Sequence, residues 1–499
     1  AALTEAREFQ SDVTDERYLA VNFLDSVQLG REAYTDAQAD TNTAYTTLQD
    51  YLSTVQDPEN PALAEDAARL SSQLSALMTP DANGNVLGDL RVDRITADET
   101  GLVFPEQQQA TQARIDYATI ASAVERLQES GAAASTGSAV YLGGLANRLN
   151  AEGLVLLQLL TEPAEIRTEL LAVYDETLIA IDALTTASQQ IGSSGANTPV
   201  RERIDAGAVL LEDLPAVRAN TLAGTANSST TRNYYTQIID LSNQSIQAAT
   251  STATDSDLTS RLAATARLTS LTESLEFEKI VDQRLIRAGE FGAQDPAFVR
   301  EQAVRSDLLL DEAQATTQSV PSLGTVPEFR SVASGANSTY TAVRTSLLNG
   351  LDSSLVAAQS ADWPGLVDNE IVQYTPIIDQ AWDEVVAITD QNVQALVTQD
   401  LAIPLGADEE ARGGVEDVLH RVVDHRHHRD DGRECHHDDY RQHQPPGAIV
   451  VCALHQAFPP GRWSSSPLTG PPLSPLAKLS ASPLSGAPAC DRSSRCSSR

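Results

Sequence analysis

The sequence predicts an all-α protein made of helical bundles, which the resemblance given below makes paired up-down bundles. Three observations carry that expectation. Apolar residues recur at helical spacing through nearly all of the first 400 positions. Aromatic residues are only 5% of the chain, while Ala, Leu, Thr, Ser, Gln and Glu are plentiful, a mix that suits bundles better than sandwiches or barrels. The breaks between periodic stretches are clusters of Gly, Pro, Asn and Ser.

The elements follow in order. Helix is expected from Leu3 to Leu52, with Gly30 among the few breakers inside it, until Asp57-Pro58-Glu59-Asn60-Pro61 stops it. It resumes over 61–78 and breaks again at Pro80-Asp81-Ala82-Asn83-Gly84. Residues 81–106 read as a loop with room for a short strand or helix. Helices are then expected over 107–130, 138–160, 163–190, 199–222, 230–253, 255–289, 295–318, 327–349 and 365–400. The intervening breaks include 192–199, Asp295-Pro296, 321–327 and Trp363-Pro364. Thr198 before Pro199 and Asp362 before the last helix have the side chains of N-caps.

Charge and composition narrow the function. The chain has 34 basic and 69 acidic residues, a formal charge of −35, which opposes binding to nucleic acid or to an anionic membrane surface. Residues 1–400 hold 57 of the acids and 23 of the bases, with no Cys and no His. They offer no thiol chemistry, no disulfide, and no ordinary general base near neutral pH. No apolar run there reaches the roughly 18 residues of a membrane helix. The expectation is a binding protein rather than an enzyme, with no cofactor. The chain opens mid-helix without an initiator Met and reads as part of something longer. Its segments are 1–110, an N-terminal helical segment that could join the main bundle; 111–400, the main helical region; and 401–499, a tail of different composition.

The tail holds all eight histidines, between His420 and His455, and all four cysteines, between Cys435 and Cys496. His, Cys and Asp are competent metal ligands, but no spacing matches a structural zinc module. The Pro/Ser/Arg stretch that follows has no periodicity and reads as disordered. A shifted reading frame fits better. Read one base later, with thymine at the wobble position, the codons for Val418–His443 give about 20 apolar residues, the length of a membrane span. The coding DNA decides this.

Arginines on apolar helix faces are the informative feature of the first 400 residues. Arg17 shares a face with Val13, Val21 and Leu24; Arg284 with Phe277, Ile280, Val281 and Phe291; Arg344 with Tyr340, Leu347 and Leu351; and Arg218 lies between Leu214 and Leu222. A guanidinium on a core-facing stripe must be ion-paired, reach water along its stem, or bind an anion. There is also weak internal repetition. Leu145…Leu149…Glu152…Leu154 aligns with Leu271…Leu275…Glu278…Ile280, with a poorer copy at Glu16. The two better copies follow helices containing Tyr117-x-x-Ile120 and Tyr235-x-x-Ile238.

A family resemblance attaches to these residues. Asp15-Glu16-Arg17-Tyr18 through Leu24, followed by Asp36, Asp40 and Leu48, resembles the opening helices of the nitrate- and nitrite-sensing (NIT) domain of bacterial receptors. So do Arg201–Arg218, Tyr235–Asp240, and the stretch Leu268–Arg284 with Gly289-Glu290-Phe291. The last of these is similar to the family's Glu-x-x-x-x-x-Arg helix and its Gly-x-Phe turn. Trp363 and the helix to Leu396 resemble the segment leading back to the membrane.

The resemblance implies a pair of four-helix bundles that bind nitrate or nitrite through helix arginines. By motif position these are Arg284, Arg17 through its Glu-Arg pair, and Arg344. It further implies an extracytoplasmic sensor of a membrane receptor, the input half of a histidine kinase. Such a sensor dimerises through the parent receptor and reaches the membrane through segments outside this chain. One departure is Gly153, which stands where the Glu152 copy should carry an arginine. The alternatives are a chemoreceptor-type helical sensor for another small ligand, and a helical scaffold without ligand whose arginines are all ion-paired.

Overall fold

The computed structural model describes residues 2–401, apart from 56–60, 79–86, 92–93, 190, 192–197 and 325–334. The His/Cys tract, the shifted-frame segment and the tail beyond Leu401 lie outside the described residues. So do most of the breaks expected at 57–61, 80–84, 192–199 and 321–327. The described residues are helical but for one small hairpin. The helices are α1 (Ala2–Thr54), α2 (Pro61–Met78), α3 (Leu87–Leu90), α4 (Gln107–Gln128), α5 (Gly131–Thr136), α6 (Ala139–Gln189), α7 (Thr198–Leu211) and α8 (Leu214–Leu222). Then follow α9 (Ser228–Thr252), α10 (Ser256–Ala288), α11 (Asp295–Gln318), α12 (Gly335–Leu348), α13 (Asp352–Ser360), α14 (Trp363–Ile371) and α15 (Thr375–Leu401).

Several boundaries differ from expectation, each for a local reason. No break separates 160 from 163: α6 runs straight through Pro163. A proline inside a helix costs about 3 kcal/mol relative to Ala. A row of buried residues continuing on both sides, from Leu142 to Leu184, offsets that cost by keeping α6 packed on α1. The helix expected over 199–222 is interrupted at 212–213, where Pro215 opens α8. The helix expected over 365–400 begins at Trp363 and is divided at 372–374. Helix α13 was not expected. The 81–106 stretch holds α3 and an antiparallel pair, β1 (Thr96–Asp98) with β2 (Gly101–Val103). Asp98 accepts the Thr100 N–H at 2.7 Å and closes the turn, and Gly101 follows at φ +111°. A Cβ on Gly101 would lie 2.5 Å from the Leu222 carbonyl oxygen. Side chains cap other helices: Asn227 accepts from Thr230 N–H, Asp255 accepts from Asp257 and Leu258 N–H, and Gly289 ends α10 in the left-handed region. Of the two expected N-caps, Thr198 lies inside α7 and Asp362 precedes α14 without a capping hydrogen bond.

Helices α1 and α6 pack along each other and are shared by two groups. The α2 and α4 helices gather at one end, α7 and α9 at the other, and α10 leads a further group with α11, α14 and α15. Ala1–Ile403 form one compact unit, so the 1–110 segment is part of the bundle through α1.

The weak sequence repeat has a physical meaning. Glu16, Glu152 and Glu278 are each essentially fully buried, and each accepts the Nε and Nη2 edge of one guanidinium. Arg218 grips Glu16 at 2.8 and 2.5 Å, Arg91 grips Glu152 at 2.6 and 2.8 Å, and Arg344 grips Glu278 at 2.6 and 3.2 Å. A tyrosine completes two of the clasps: Tyr235 donates to Glu16 at 2.6 Å and Tyr117 to Glu152 at 2.8 Å. Burial, then the Glu278 charge, pushes the Tyr340 hydroxyl well above its ordinary pKa, so a tyrosine also stands by the third. Tyr235 therefore belongs with Glu16, not with Glu278 as the order of the repeats suggests.

The clasp also explains Gly153. A Cβ there would lie 2.5 Å from the Tyr117 Cβ and 2.9 Å from its ring, because α4 crosses α6 at that point. The second repeat copy has no room for an arginine. Gly153→Ala is expected to destabilise the protein by about 1–3 kcal/mol through overpacking, read as a fall in the urea midpoint at unchanged slope.

Candidate functional site

Three helix faces meet along one line. Helix α1 contributes Arg17, Val21 and Asp25, α9 contributes Ser228, Arg232 and Thr236, and α10 contributes Glu273, Phe277 and Arg284. Steps of four residues, or four and seven, keep each trio on one stripe of its helix.

One end of the line is closed. Arg17 is wholly buried and locked fork-to-fork on Glu273, with Nη2 3.1 Å from Oε2 and Nη1 on Oε1. Its Nη1 also donates to Thr236 Oγ1 at 3.2 Å, while its Nε has no hydrogen-bond partner among the described residues. Burial raises the pKa of Glu273, and Arg17 acts against that. The core-facing arginine predicted at position 17 is therefore a structural ion pair in this arrangement.

The other end is loose. Arg284 stands 3.9 Å from Asp25 Oδ1, too far for a hydrogen bond, and its side chain is 44% exposed. The interior orientation expected for Arg284 is thus not observed. Helix α10 is buried around most of its girth, and Arg284 sits on the edge of the apolar stripe, where the helix faces the cleft. Asp25 is buried. Burial raises its pKa, against a hydrogen bond from Ser228 and the charges of Arg284, Arg287 and Arg232.

Arg232 lies between the two ends, and the sequence reading missed it. Its guanidinium sits 5.1 Å from the Phe277 ring centroid, and that of Arg17 sits 5.9 Å from the same ring. The Arg232 Nε is enclosed without a partner, and no carboxylate pairs with the side chain among the described residues. Burial, then the nearby Arg284, lowers its pKa; Asp25 opposes this and Arg17 adds to it. Three guanidinium groups thus come together here, with Glu273 paired to Arg17, Asp25 beside Arg284, and Asp240 also within reach of the Arg17 charge. The signal was present in the four-residue spacing Ser228, Arg232, Thr236, but that stripe is polar, and the search followed apolar stripes.

Arg344 does not join this cluster. Glu278 takes its Nε and Nη2 edge, Asp307 takes Nη1 at 3.1 Å, and the Ala303 carbonyl accepts from Nη2 at 2.9 Å. Burial alone would depress its pKa; Glu278, Tyr340 and Asp307 more than offset that and raise it. Both edges of the fork are thus occupied, and Arg344, expected to bind the anion, stands in a structural ion-pair cluster away from Arg17 and Arg284. Among the described residues no group of three or more His, Cys, Asp or Glu side chains could hold a metal ion. Among the same residues no helix is long and apolar enough to cross a membrane.

Comparison with known proteins adds the family. The family described as nitrate and nitrite sensing matches residues 136–386, half of the chain. That span runs from the end of α5 into α15 and contains Arg232 and Arg284. No curated protein and no solved structure shows a significant match. The ordered helices and the matched half of the sequence together establish that this chain belongs to the nitrate- and nitrite-sensing (NIT) family.

Proposed function

We propose that the chain is the extracytoplasmic sensor region of a bacterial membrane receptor and that it binds nitrate or nitrite in the cleft between α1, α9 and α10. The observation that carries this reading is Arg232, a half-buried guanidinium beside two others with no carboxylate of its own. Nitrate is a small planar anion whose oxygens match the parallel donors of a guanidinium fork. Arg232 and Arg284 supply those forks, and Arg17, held rigid by Glu273, adds charge from below. The Phe277 ring lies against the Arg232 guanidinium and lowers the local polarity, which strengthens a hydrogen bond made there relative to solvent. The guanidinium groups act locally, because the chain's distant acids are screened beyond roughly 8–10 Å at physiological salt. Binding of this kind needs no nucleophile, base or metal, so the reading is recognition without turnover.

Relay follows from where the cleft sits. An anion bridging Arg232 and Arg284 ties α9 to α10, and α10 packs on α15. If nitrate prefers one spacing of these helices, α15 moves with it. A shift from mostly off to mostly on needs up to about 5 kcal/mol of such preference. Dimerisation and membrane attachment through the parent receptor, with a histidine kinase as the output, complete the proposal.

The test is calorimetric titration of the full chain with nitrate, nitrite and chloride. Nitrate binding is expected, weakened about ten- to hundredfold in Arg232→Ala, the loss of one or two charge-assisted hydrogen bonds. Arg284→Ala is expected to behave similarly. Equal affinity for chloride, or binding unchanged in Arg232→Ala, would sink the proposal.

A further inference from the structure

A cavity of about 540 Å³ opens where α1, α6 and α10 meet the corner between α13 and α14. That volume is typical of small-molecule sites. Its walls include Leu29, Leu159, Ile286 and Trp363, and the charged groups on it are Glu162, Arg287 and Asp362. Their sign is opposite to that of the arginine cleft, with two carboxylates against one guanidinium.

Most polar side chains at the cavity are engaged with one another, and three are not. Arg287 gives Nη2 to Glu162 at 2.6 Å and Nη1 to the Asn22 carbonyl at 3.1 Å. Gln158 Nε2 donates to the other Glu162 oxygen at 3.2 Å, and Gln359 Nε2 donates to the Ile286 carbonyl at 2.5 Å. The Gln283 Oε1 and the Trp363 Nε1 are enclosed with no hydrogen-bond partner, and the exposed Asp362 side chain makes no capping hydrogen bond. An occupant that meets Gln283 and Asp362 brings donors and positive charge. The apolar walls call for a carbon skeleton.

The backbone adds an independent observation. Asp362 has φ +53° and ψ +71°, and it is the one non-glycine residue with positive φ among the described residues. Glycine would adopt that conformation without strain. Local strain held at the rim of a cavity is how a scaffold aims a functional side chain.

We propose that this cavity binds a small primary alkylammonium. Its ammonium group is held by Asp362 and Gln283, and its carbon chain lies against Leu159, Ile286 and Trp363. The site is distinct from the anion cleft and does not depend on it.

The experiment is titration of the full chain with n-butylammonium, with n-butanol as the neutral counterpart and butyrate as the anionic one. Butylammonium is expected to bind at least tenfold tighter than either. Asp362→Asn, which tolerates the same backbone conformation but lacks the charge, is expected to weaken it at least tenfold. Asp362→Gly separates structure from function: the thermal midpoint should rise as strain is relieved, while butylammonium binding is lost. Arg232→Ala should leave butylammonium binding intact, so failure of the anion reading is told apart from failure here. The proposal is overturned if no probe binds, if butanol binds as well as butylammonium, or if Asp362→Asn binds unchanged.

Discussion

Glu278→Ala is expected to destabilise the protein by about 3–5 kcal/mol, a large share of the roughly 5–15 kcal/mol available to a folded domain. The side chain is 1% exposed and holds Arg344 by two hydrogen bonds at 2.6 and 3.2 Å. Removing it leaves a guanidinium that is itself 7% exposed with its Nε edge unpaired, Asp307 and the Ala303 carbonyl being its remaining partners. Urea unfolding followed by circular dichroism measures the loss. The double variant Glu278→Met with Arg344→Leu should recover part of it, since it removes both members of the buried ion pair while leaving Asp282 and Asp307 without the Arg344 charge. The contrast is Asp40→Ala. It breaks the Arg148–Asp40 contact, whose side chains are 55% and 56% exposed, and is expected to cost less than about 1 kcal/mol. Equal losses from the buried and the exposed variant would refute the clasp as the source of stability.

Asp282→Asn is expected to flatten the fall of stability with rising pH. Asp282 lies one turn after Glu278, is 1% exposed, and has no hydrogen-bond partner on either carboxylate oxygen among the described residues. Burial, then the Glu278 charge on the same helix, pushes its pKa well above the ordinary carboxylate range, with Arg344 of α12 acting in the opposite sense. The Tyr340 hydroxyl of α12 faces the same cluster and is itself held protonated by burial. Because the folded pKa exceeds the unfolded value, the native state binds more protons than the unfolded chain between the two. Stability is then fullest below about pH 4, the unfolded value, and declines as pH rises through the folded one. Asparagine carries no such proton. At neutral pH it should leave the protein more stable than Asp, by about 1.4 kcal/mol for each pH unit over which the folded state alone keeps the proton. Parallel urea titrations at pH 5 and pH 8 give the slope for each form. Other raised carboxyls, such as Asp25 and Glu273, contribute to both forms and cancel in the difference. Identical slopes would refute this account.

Helical periodicity was enough to place most of the helices, because an amphipathic stripe is a local property of the chain. It was also enough to flag Arg17, Arg218 and Arg344 as core-facing, and all three are buried. It could not name their partners. Glu16 lies 202 residues from Arg218, and Arg17 lies 256 from Glu273; those pairings are decided by which helices meet, which spacing does not encode. The same limit misplaced Pro163 as a helix stop, since the compensating contact comes from α1, more than 100 residues away in sequence. Arg232 escaped for another reason. The stripe that carries it is polar, and only its convergence with Arg17 and Arg284 around Phe277 gives it meaning.

Helices α1 and α6 have 53 and 51 residues, so each is a rod roughly 80 Å long. The helix groups at the two ends hang on the same pair of rods. A twist or slide of either rod is therefore felt by both groups, as in a torsion bar, and Pro163 is the place along α6 where it would be softened.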